Sequence, residues 1–362
     1  MSGSVCLSIG ILYANVRSKQ LTGYCRALSK KPMVNKQLVD QFGRRVNYLR
    51  LSVTDRCDYR CVYCMAEDMT FLPRDQILTL EEQLRICSNF VDLGVEKIRL
   101  TGGEPLIRRN IMALIEPLGA LEGLRELVLT TNGSMLKSLA KPLKNAGVRR
   151  INISLDSLKA DRFKQITRTG KLEPVLQGIE ASIEADFDRI KINSIIIKGR
   201  NEDEIIPLIR YVKERGIDIS FIEEMPLGTT LAYDRAESFM SSVELRHVIE
   251  QEYSLIASTK DSGGPAKYFD LEGSNTRIGF ISPHSNNFCS TCNRVRLTSD
   301  GRLLLCLGNE HSVDLRPLLR QQRSDDEIKQ VLMDAMNIKP ERHHFDLNEE
   351  PQLVRFMNMT GG

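Results

Sequence analysis

Hydrophobic residues recur with two different periods along residues 46–226. Runs that alternate with polar residues and are rich in β-branched side chains predict six strands, and hydrophobic residues at helical spacing between them predict helices. Six successive strand–helix units indicate an α/β fold with a parallel sheet and right-handed crossovers. The pattern alone leaves open a partial barrel or an open doubly wound sheet. The predicted strands are 47–54, 95–101, 124–131, 148–155, 190–197 and 217–223.

The pattern changes after residue 226. A short helix over about 242–252 precedes a Gly-Gly-Pro break at 263–265, strand-like pieces at 266–271 and 276–282, and helices near 315–321 and 325–337. We therefore expect three parts. Residues 1–39 form a segment outside the fold, residues 40–226 form the core, and residues 227–362 form a C-terminal region.

Composition narrows the classes of function. Hydrophobic residues make up 41% of the 362 positions, and charged residues make up 27% with a net charge of +3. That balance supports a full core and argues against a nucleic-acid binder or a membrane binder, since no apolar run reaches the length of a membrane span. Six of the nine cysteines fall in two tight groups. This grouping favours metal ligation in a reducing compartment over a disulfide framework.

Residues 1–39 differ in composition from the rest of the chain. They contain no Asp or Glu, and they carry six Lys or Arg residues among scattered serines. An acid-free, basic and serine-bearing segment is typical of a mitochondrial transit peptide, so we expect a mitochondrial matrix location. The alternative is a basic tail without a targeting role.

Three cysteines follow the first predicted strand at C-x3-C-x2-C spacing, namely Cys57, Cys61 and Cys64. They lie on the loop at the carboxyl end of a strand, where α/β folds place their chemistry. Three thiolates are one short of the usual set for an iron–sulfur cubane, so one iron would keep an open position. The alternative is a structural zinc site with a fourth ligand elsewhere.

A second set of three cysteines has C-x2-C-x13-C spacing in the C-terminal region, namely Cys289, Cys292 and Cys306. It predicts either a second cluster with an open iron or a Cys3His zinc site, because His284 and His311 each lie five residues outside the set. Arg294 and Arg296 lie two residues apart on a predicted strand and therefore point to one face. That pair suits a polyphosphate, and the alternative is an exposed basic strand edge.

The first cysteine set, with Tyr63 before its last cysteine, resembles the signature of the radical S-adenosylmethionine (SAM) superfamily. This resemblance implies a [4Fe–4S] cluster whose open iron chelates SAM and whose electron cleaves it to a 5′-deoxyadenosyl radical. The wider pattern, from about residue 43 onward, resembles the GTP 3′,8-cyclase family of molybdenum cofactor biosynthesis. It includes both triads, the Thr101–Pro105 motif, the Arg-x-Arg pair and the terminal diglycine.

The resemblance implies a partial (β/α)6 TIM-type barrel of the radical SAM class, with a C-terminal extension that carries a second [4Fe–4S] cluster. The basic amino-terminal extension is expected of a eukaryotic form. By motif, the implied ligands are Cys57, Cys61 and Cys64 for the first cluster and Cys289, Cys292 and Cys306 for the second. The implied SAM contacts are Tyr63, Gly103, Ser154 and Met225. The implied GTP contacts are Arg50, Arg99, Thr130, Lys191, Arg294, Val295 and Arg296.

The implied reaction begins when the radical abstracts the ribose 3′ hydrogen of GTP, and the 3′ radical then adds to C8 of guanine. A further electron and a proton give 3′,8-cyclo-7,8-dihydro-GTP. No catalytic side chain is implied beyond the cluster ligands. The implied partners are GTP, an electron donor, the downstream cyclic pyranopterin monophosphate synthase, and a second copy of the chain in a homodimer. Neither nucleic acid nor a membrane span is expected.

Two rival functions fit parts of the pattern. One is a radical SAM protein that modifies a peptide and uses the second cluster as an electron relay, although a peptide needs no phosphate clamp. The other is a zinc-stabilised scaffold without enzymatic activity. A terminal diglycine such as Gly361-Gly362 is normally a frayed end. The resemblance instead implies that this tail reaches into the barrel beside SAM.

Overall fold

The structure is a computed structural model that describes residues 37–228, 233–259, 263–343, 345–346 and 355–361. Of the predicted amino-terminal segment, residues 1–36 lie outside this range. Residues 37–39 lie inside it. Leu38 is only 1% exposed, and its carbonyl oxygen accepts a hydrogen bond from the amide of Val46. Residues 36–362 belong to one compact unit. The division at residue 226 stays a prediction.

All twelve strands of the described chain belong to one sheet, and its first six strands in sequence are parallel neighbours, as predicted. The order across the sheet is β12-β11-β10-β1-β2-β3-β4-β5-β6-β9-β8-β7. The strands are β1 (Tyr48–Ser52), β2 (Lys97–Thr101), β3 (Glu126–Thr131), β4 (Val148–Ser154), β5 (Arg189–Ser194), β6 (Asp218–Ile222), β7 (Leu255–Ala257), β8 (Lys267–Leu271), β9 (Arg277–Ile281), β10 (Arg294–Leu297), β11 (Arg302–Leu304) and β12 (Ser312–Asp314).

Helices follow the strands of the core at the predicted positions, and several begin at side-chain caps. Thr79 and Ser324 each form a capping box with the Glu three residues later, which satisfies amides at the start of the helix. The helices are α1 (Leu80–Asp92), α2 (Met112–Gly119), α3 (Leu136–Asn145), α4 (Ala160–Thr167), α5 (Leu172–Glu184), α6 (Ile205–Glu214), α7 (Arg235–Ser238), α8 (Ser242–Glu250), α9 (Arg316–Arg320), α10 (Asp325–Met336) and α11 (Met357–Thr360). None of the helices within the described residues has the length and hydrophobicity that a membrane crossing requires.

The C-terminal region adds a strand to each edge of the six-stranded core. Strand β10 pairs parallel to β1, and β9 pairs parallel to β6. A buried ion pair also joins β9 to β6, since Arg277 Nη2 lies 2.7 Å from Asp218 Oδ2. The segment 282–293 therefore crosses from one edge of the core to the other, and it carries Cys289 and Cys292.

The sheet curves around a single cavity, because residues of β1 to β6, β9 and β10 all line it. Successive side chains in a strand point to opposite faces. Leu49, Leu51 and Leu297 point outward into the hydrophobic core, while the residues between them face the cavity. This arrangement confirms the partial barrel and excludes the open doubly wound sheet.

Candidate cofactor and substrate site

The first cysteine triad lies at the carboxyl end of β1, as predicted. The triad loop is fastened to the helical side of the barrel, because the amides of Arg60 and Val62 donate to carbonyls of α4 at 2.9 Å each. The Tyr63 hydroxyl donates to Asp156 Oδ2 at 2.7 Å, just beyond the end of β4. The loop that follows β1 is therefore held by residues that follow β4.

Polar groups surround the sulfur atoms of the first triad. The Tyr59 amide lies 3.4 Å from Cys57 Sγ, and Asn132 Nδ2 lies 3.9 Å from the same atom. Burial raises the pKa of the Cys64 thiol to about 12, although the backbone amide of Asn358 donates to it and acts in the opposite direction. These donors suit sulfur that carries negative charge, which metal ligation provides.

Gly103 brings the Thr101–Pro105 motif against the triad loop. Its amide donates to the Thr54 carbonyl at 2.8 Å, and a Cβ at this position would lie 2.0 Å from the Arg56 carbonyl oxygen. The next residue, Glu104, is buried and accepts hydrogen bonds from Thr131 and from two backbone amides. Burial raises its pKa to about 7 despite these donors. Its carboxylate therefore links the ends of β2 and β3 by hydrogen bonds and is not free to bind an ammonium group.

Three arginines on adjacent strands form a cationic wall of the cavity, namely Arg296, Arg50 and Arg99. Arg296 on β10 is in register with Arg50 on β1, and Arg50 is in register with Arg99 on β2. Arg99 Nη1 donates to Thr130 Oγ1 at 3.0 Å on the next strand. Burial, followed by the nearby positive charges of Arg50 and Arg294, lowers the pKa of Arg296. Buried guanidinium groups in mutual contact favour a polyanionic ligand.

Tyr48 lies among these cations, although the sequence analysis did not single it out. Arg99 Nε donates to the Tyr48 hydroxyl at 2.5 Å, and Lys97 Nζ lies 4.9 Å from the ring centroid. Burial alone would raise the pKa of Tyr48, but the positive charges of Arg99, Arg50 and Lys97 outweigh it and lower the pKa to about 7. Tyr48 and Lys97 each precede a predicted arginine by two residues, so the period of a strand was a signal for both.

The second triad lies beside the amino end of β10. Cys289 and Cys292 precede β10, which runs parallel to β1, and Asn293 between them and the strand accepts hydrogen bonds from the amides of Asn47 and Tyr48. All three cysteines of this triad line the cavity. Burial raises the pKa of the Cys292 thiol, but the charges of Lys339 and Arg294 outweigh it, so the net shift is downward.

Among the described residues, neither triad forms a site for a single metal ion. Within the described ranges, no three Cys, His, Asp or Glu side chains converge closely enough to hold one ion. His284 Nε2 lies 2.9 Å from the Glu224 carbonyl oxygen, and His311 is exposed and contacts Asn309. The predicted zinc alternatives are therefore unsupported. A cubane binds each thiolate through a different iron, so its ligands need not converge on one point.

The C-terminal tail enters the barrel between the first triad and the cationic wall. The Met357 amide donates to the Cys64 carbonyl at 3.2 Å, and Asn358 Nδ2 donates to the Asp55 carbonyl at 2.9 Å. The carbonyl of Gly361 accepts hydrogen bonds from Arg296 and, at 3.3 Å, from Arg50 Nη2. Gly361 has a φ of +76°, and a Cβ there would lie 2.2 Å from Thr101 Oγ1. Gly362 lies outside the described residues.

The structure brings most of the predicted contact residues to one place. The cavity is lined by Met225 and by all seven predicted GTP contacts: Arg50, Arg99, Thr130, Lys191, Arg294, Val295 and Arg296. Val295 is only 1% exposed, and its side chain packs in the hydrophobic core. Ser154 ends β4 on the face shared with the cavity residue Asn152. Strand β10 lies between β1 and β11, so the interpretation of Arg294 and Arg296 as an exposed basic edge is wrong.

Two family descriptions match successive parts of the chain. Residues 51–212 match the radical SAM superfamily, and residues 217–345 match the family described as Molybdenum Cofactor Synthesis C. Curated relatives named GTP 3′,8-cyclase are similar over almost their whole length. The relative from Marinobacter nauticus is 59% identical over 91% of this chain and 100% of its own. The relative from Pseudomonas putida strain W619 is 58% identical over 91% of this chain and 99% of its own.

Solved structures show the same fold at low identity. The crystal structure of Streptococcus suis SuiB has a TM-score of 0.58 and 17% identity, over 83% of this chain and 68% of that chain. The crystal structure of SuiB bound to S-adenosylmethionine has a TM-score of 0.57 and 16% identity, over 88% of this chain and 79% of that chain. At this identity the similarity concerns the fold alone.

The close approach of Gly103 to the triad loop generates a prediction. We expect Gly103→Ala to push the loop away from β2 and to reduce iron bound at the first triad, because the Cβ would meet a backbone oxygen at 2.0 Å. Gly102→Ala is the graded control, since its Cβ would meet the Thr54 carbonyl oxygen at 3.0 Å. Iron content and SAM binding after anaerobic reconstitution measure the effect. Equal iron in Gly103→Ala and the parent would contradict the prediction.

Proposed function

Because the chain belongs to the GTP 3′,8-cyclase family of radical SAM enzymes, we propose that it converts GTP to 3′,8-cyclo-7,8-dihydro-GTP, the first step of molybdenum cofactor biosynthesis. The observation that carries the proposal is the single cavity shared by the cationic wall and the second triad. A nucleoside triphosphate matches both the cationic wall and the second triad. Its phosphates match the guanidinium groups, and its base reaches the cysteine end.

Within this proposal the chain's own residues bind and orient the substrate. Arg50, Arg99, Arg294 and Arg296 hold the triphosphate by charge-assisted hydrogen bonds. Lys191 Nζ, which donates to the Tyr268 hydroxyl at 3.1 Å, adds a cation from the opposite side of the barrel. The curved sheet and the tail exclude water. Holding the ribose in one orientation is the main contribution a protein makes to such a reaction.

The proposed cofactors are SAM and two [4Fe–4S] clusters. Cys57, Cys61 and Cys64 would hold the first, and Cys289, Cys292 and Cys306 the second. The first cluster would supply the electron that cleaves SAM. The residues proposed to contact SAM have distinct tasks. Tyr63 is fixed by Asp156, and Gly103 keeps the motif close to the loop. Ser154 ends β4, and Met225 lines the cavity.

An anaerobic assay with GTP, SAM and reductant tests the proposed activity, with product identification by mass. Reconstituted protein should bind about eight irons, four for each cubane. Cys61→Ala should bind about half of this iron and fail to cleave SAM, because it would lack the cluster that is proposed to hold SAM. Cys292→Ala should also lose about half of the iron while its first cluster still cleaves SAM slowly. A protein that binds one zinc and four irons would contradict the proposal of a second cluster.

Arg296→Ala should weaken GTP binding by about 10- to 150-fold, the equivalent of roughly 1.5–3 kcal/mol for a hydrogen bond to a charged group. Arg296 also holds the Gly361 carbonyl, so the measurement should be repeated in protein that lacks residues 361 and 362. The loss should persist there if Arg296 contacts phosphate. Arg302→Ala, an exposed arginine on β11, is the matched control. Unchanged GTP affinity in Arg296→Ala would rule out the phosphate contact.

Deleting Gly361 and Gly362 should leave folding and iron content intact but sharply lower cyclised product. The tail is buried beside Thr101 and the arginines, so its loss opens the cavity without removing a cluster ligand. Gly361→Ala should have a similar effect, because the side chain is incompatible with both the positive φ and the contact with Thr101. Single-turnover product yield and iron content measure the two effects. Full product from the truncated protein would identify the tail as a frayed end.

We also propose a mitochondrial location, an external electron donor, a homodimer and transfer of product to the cyclic pyranopterin monophosphate synthase. Support for the location is the acid-free, basic composition of residues 1–39. Residues 1–36 fused to a reporter should enter mitochondria, and the chain without them should retain activity. Removal should stop at residue 36, because Leu38 is buried. A reporter that stays in the cytosol would refute the targeting role.

A further inference from the structure

Lys339 is a buried cation beside the second triad. It follows α10, and it is 1% exposed and among the largest fully buried side chains. Its Nζ donates to the Leu305 carbonyl at 2.6 Å and to the Arg294 carbonyl at 3.1 Å, and it lies 3.8 Å from Cys292 Sγ.

A buried ammonium group is costly unless neighbouring groups compensate its charge. In the described part of the chain, no carboxylate forms an ion pair with Lys339. Its contacts are two carbonyl oxygens and one sulfur. Arg44, another cation near this triad, differs in this respect because Asp40 pairs with it at 2.6 Å. The charge that matches Lys339 is therefore the negative charge that ligated thiolates would carry.

The same three contacts tie together the two segments that carry the triad. Arg294 lies two residues after Cys292, and Leu305 immediately precedes Cys306. One ammonium group thus holds both backbone segments by carbonyl oxygens while it faces the sulfur. Its position is determined by packing as well as charge, since the aliphatic part of the side chain is buried next to α10.

We propose that Lys339 is a positioning residue that raises the reduction potential of a cluster bound by Cys289, Cys292 and Cys306. This proposal rests on the second cluster of the proposed function. A fixed positive charge next to a ligand sulfur stabilises the more negative, reduced state of a cluster. Nearby charge and hydrogen bonds to the ligand sulfur atoms are known to change the reduction potentials of iron–sulfur clusters. The one electron involved comes from the external reductant and is accepted by the cluster.

The test isolates the second cluster. In full-length protein with Cys57, Cys61 and Cys64 changed to Ala, a dithionite titration followed by electron paramagnetic resonance gives the midpoint potential of the remaining cluster. Lys339→Met and Lys339→Gln should shift that potential to more negative values, because each removes the charge. Lys339→Arg should keep it near the parent value. Lys329→Met on α10 is the control, since Lys329 pairs with Asp92, and it should not shift the potential.

The possible results distinguish the role of Lys339 from the presence of the second cluster. An unchanged potential in Lys339→Met would overturn the role of Lys339 and leave the second cluster intact. If the neutral variants fold but lose the cluster, Lys339→Arg decides, because retention there supports the charge and loss there shows that only packing matters. Absence of any iron in the parent protein without the first triad would instead refute the second cluster, and with it the proposed function's cofactor content.

Discussion

The site depends on the register between β10 and β1, which places Arg296 beside Arg50 and, through β2, beside Arg99. Three like charges would repel one another inside a barrel. They are held there because the alternate residues of the same strands, including Leu49, Leu51 and Leu297, are fully buried on the other face. The apolar outer face fixes the strands, and the cationic inner face follows from the period of two.

That register also determines where the two triads lie. Since β10 runs parallel to β1, the chain must return to the amino end of the barrel before it enters β10, and it carries Cys289 and Cys292 there. Cys57 and its neighbours instead follow the carboxyl end of β1. The barrel interior, which is filled with apolar layers in many enzymes of this class, here contains a cavity lined by cationic side chains and by the second triad. The positions of the positive charges in this cavity therefore limit which ligands can bind there.

Local patterns predicted the six core strands, the cysteine triads and most cavity residues, because alternation and short spacings are visible within a few residues. They did not predict that β9 and β10 pair with β6 and β1, since these pairings join segments that are remote in sequence. For the same reason, Lys339 could not be associated with Cys292, which lies 47 residues away. Likewise, only the structure shows that Thr131 and two backbone amides donate hydrogen bonds to the carboxylate of Glu104.

The tail and the cationic wall are linked by shared donors. The carbonyl oxygen of Gly361 accepts from Arg296 and Arg50, and a phosphate oxygen would accept from the same guanidinium groups. Any ligand that presents phosphate to them must either share these donors with the tail or displace it. The position of the tail and the occupancy of the wall are therefore thermodynamically coupled, and the coupling is reciprocal. Glycine is required at the contact because Thr101 leaves no room for a Cβ, so the last described residue of the chain is as constrained as any residue in the core.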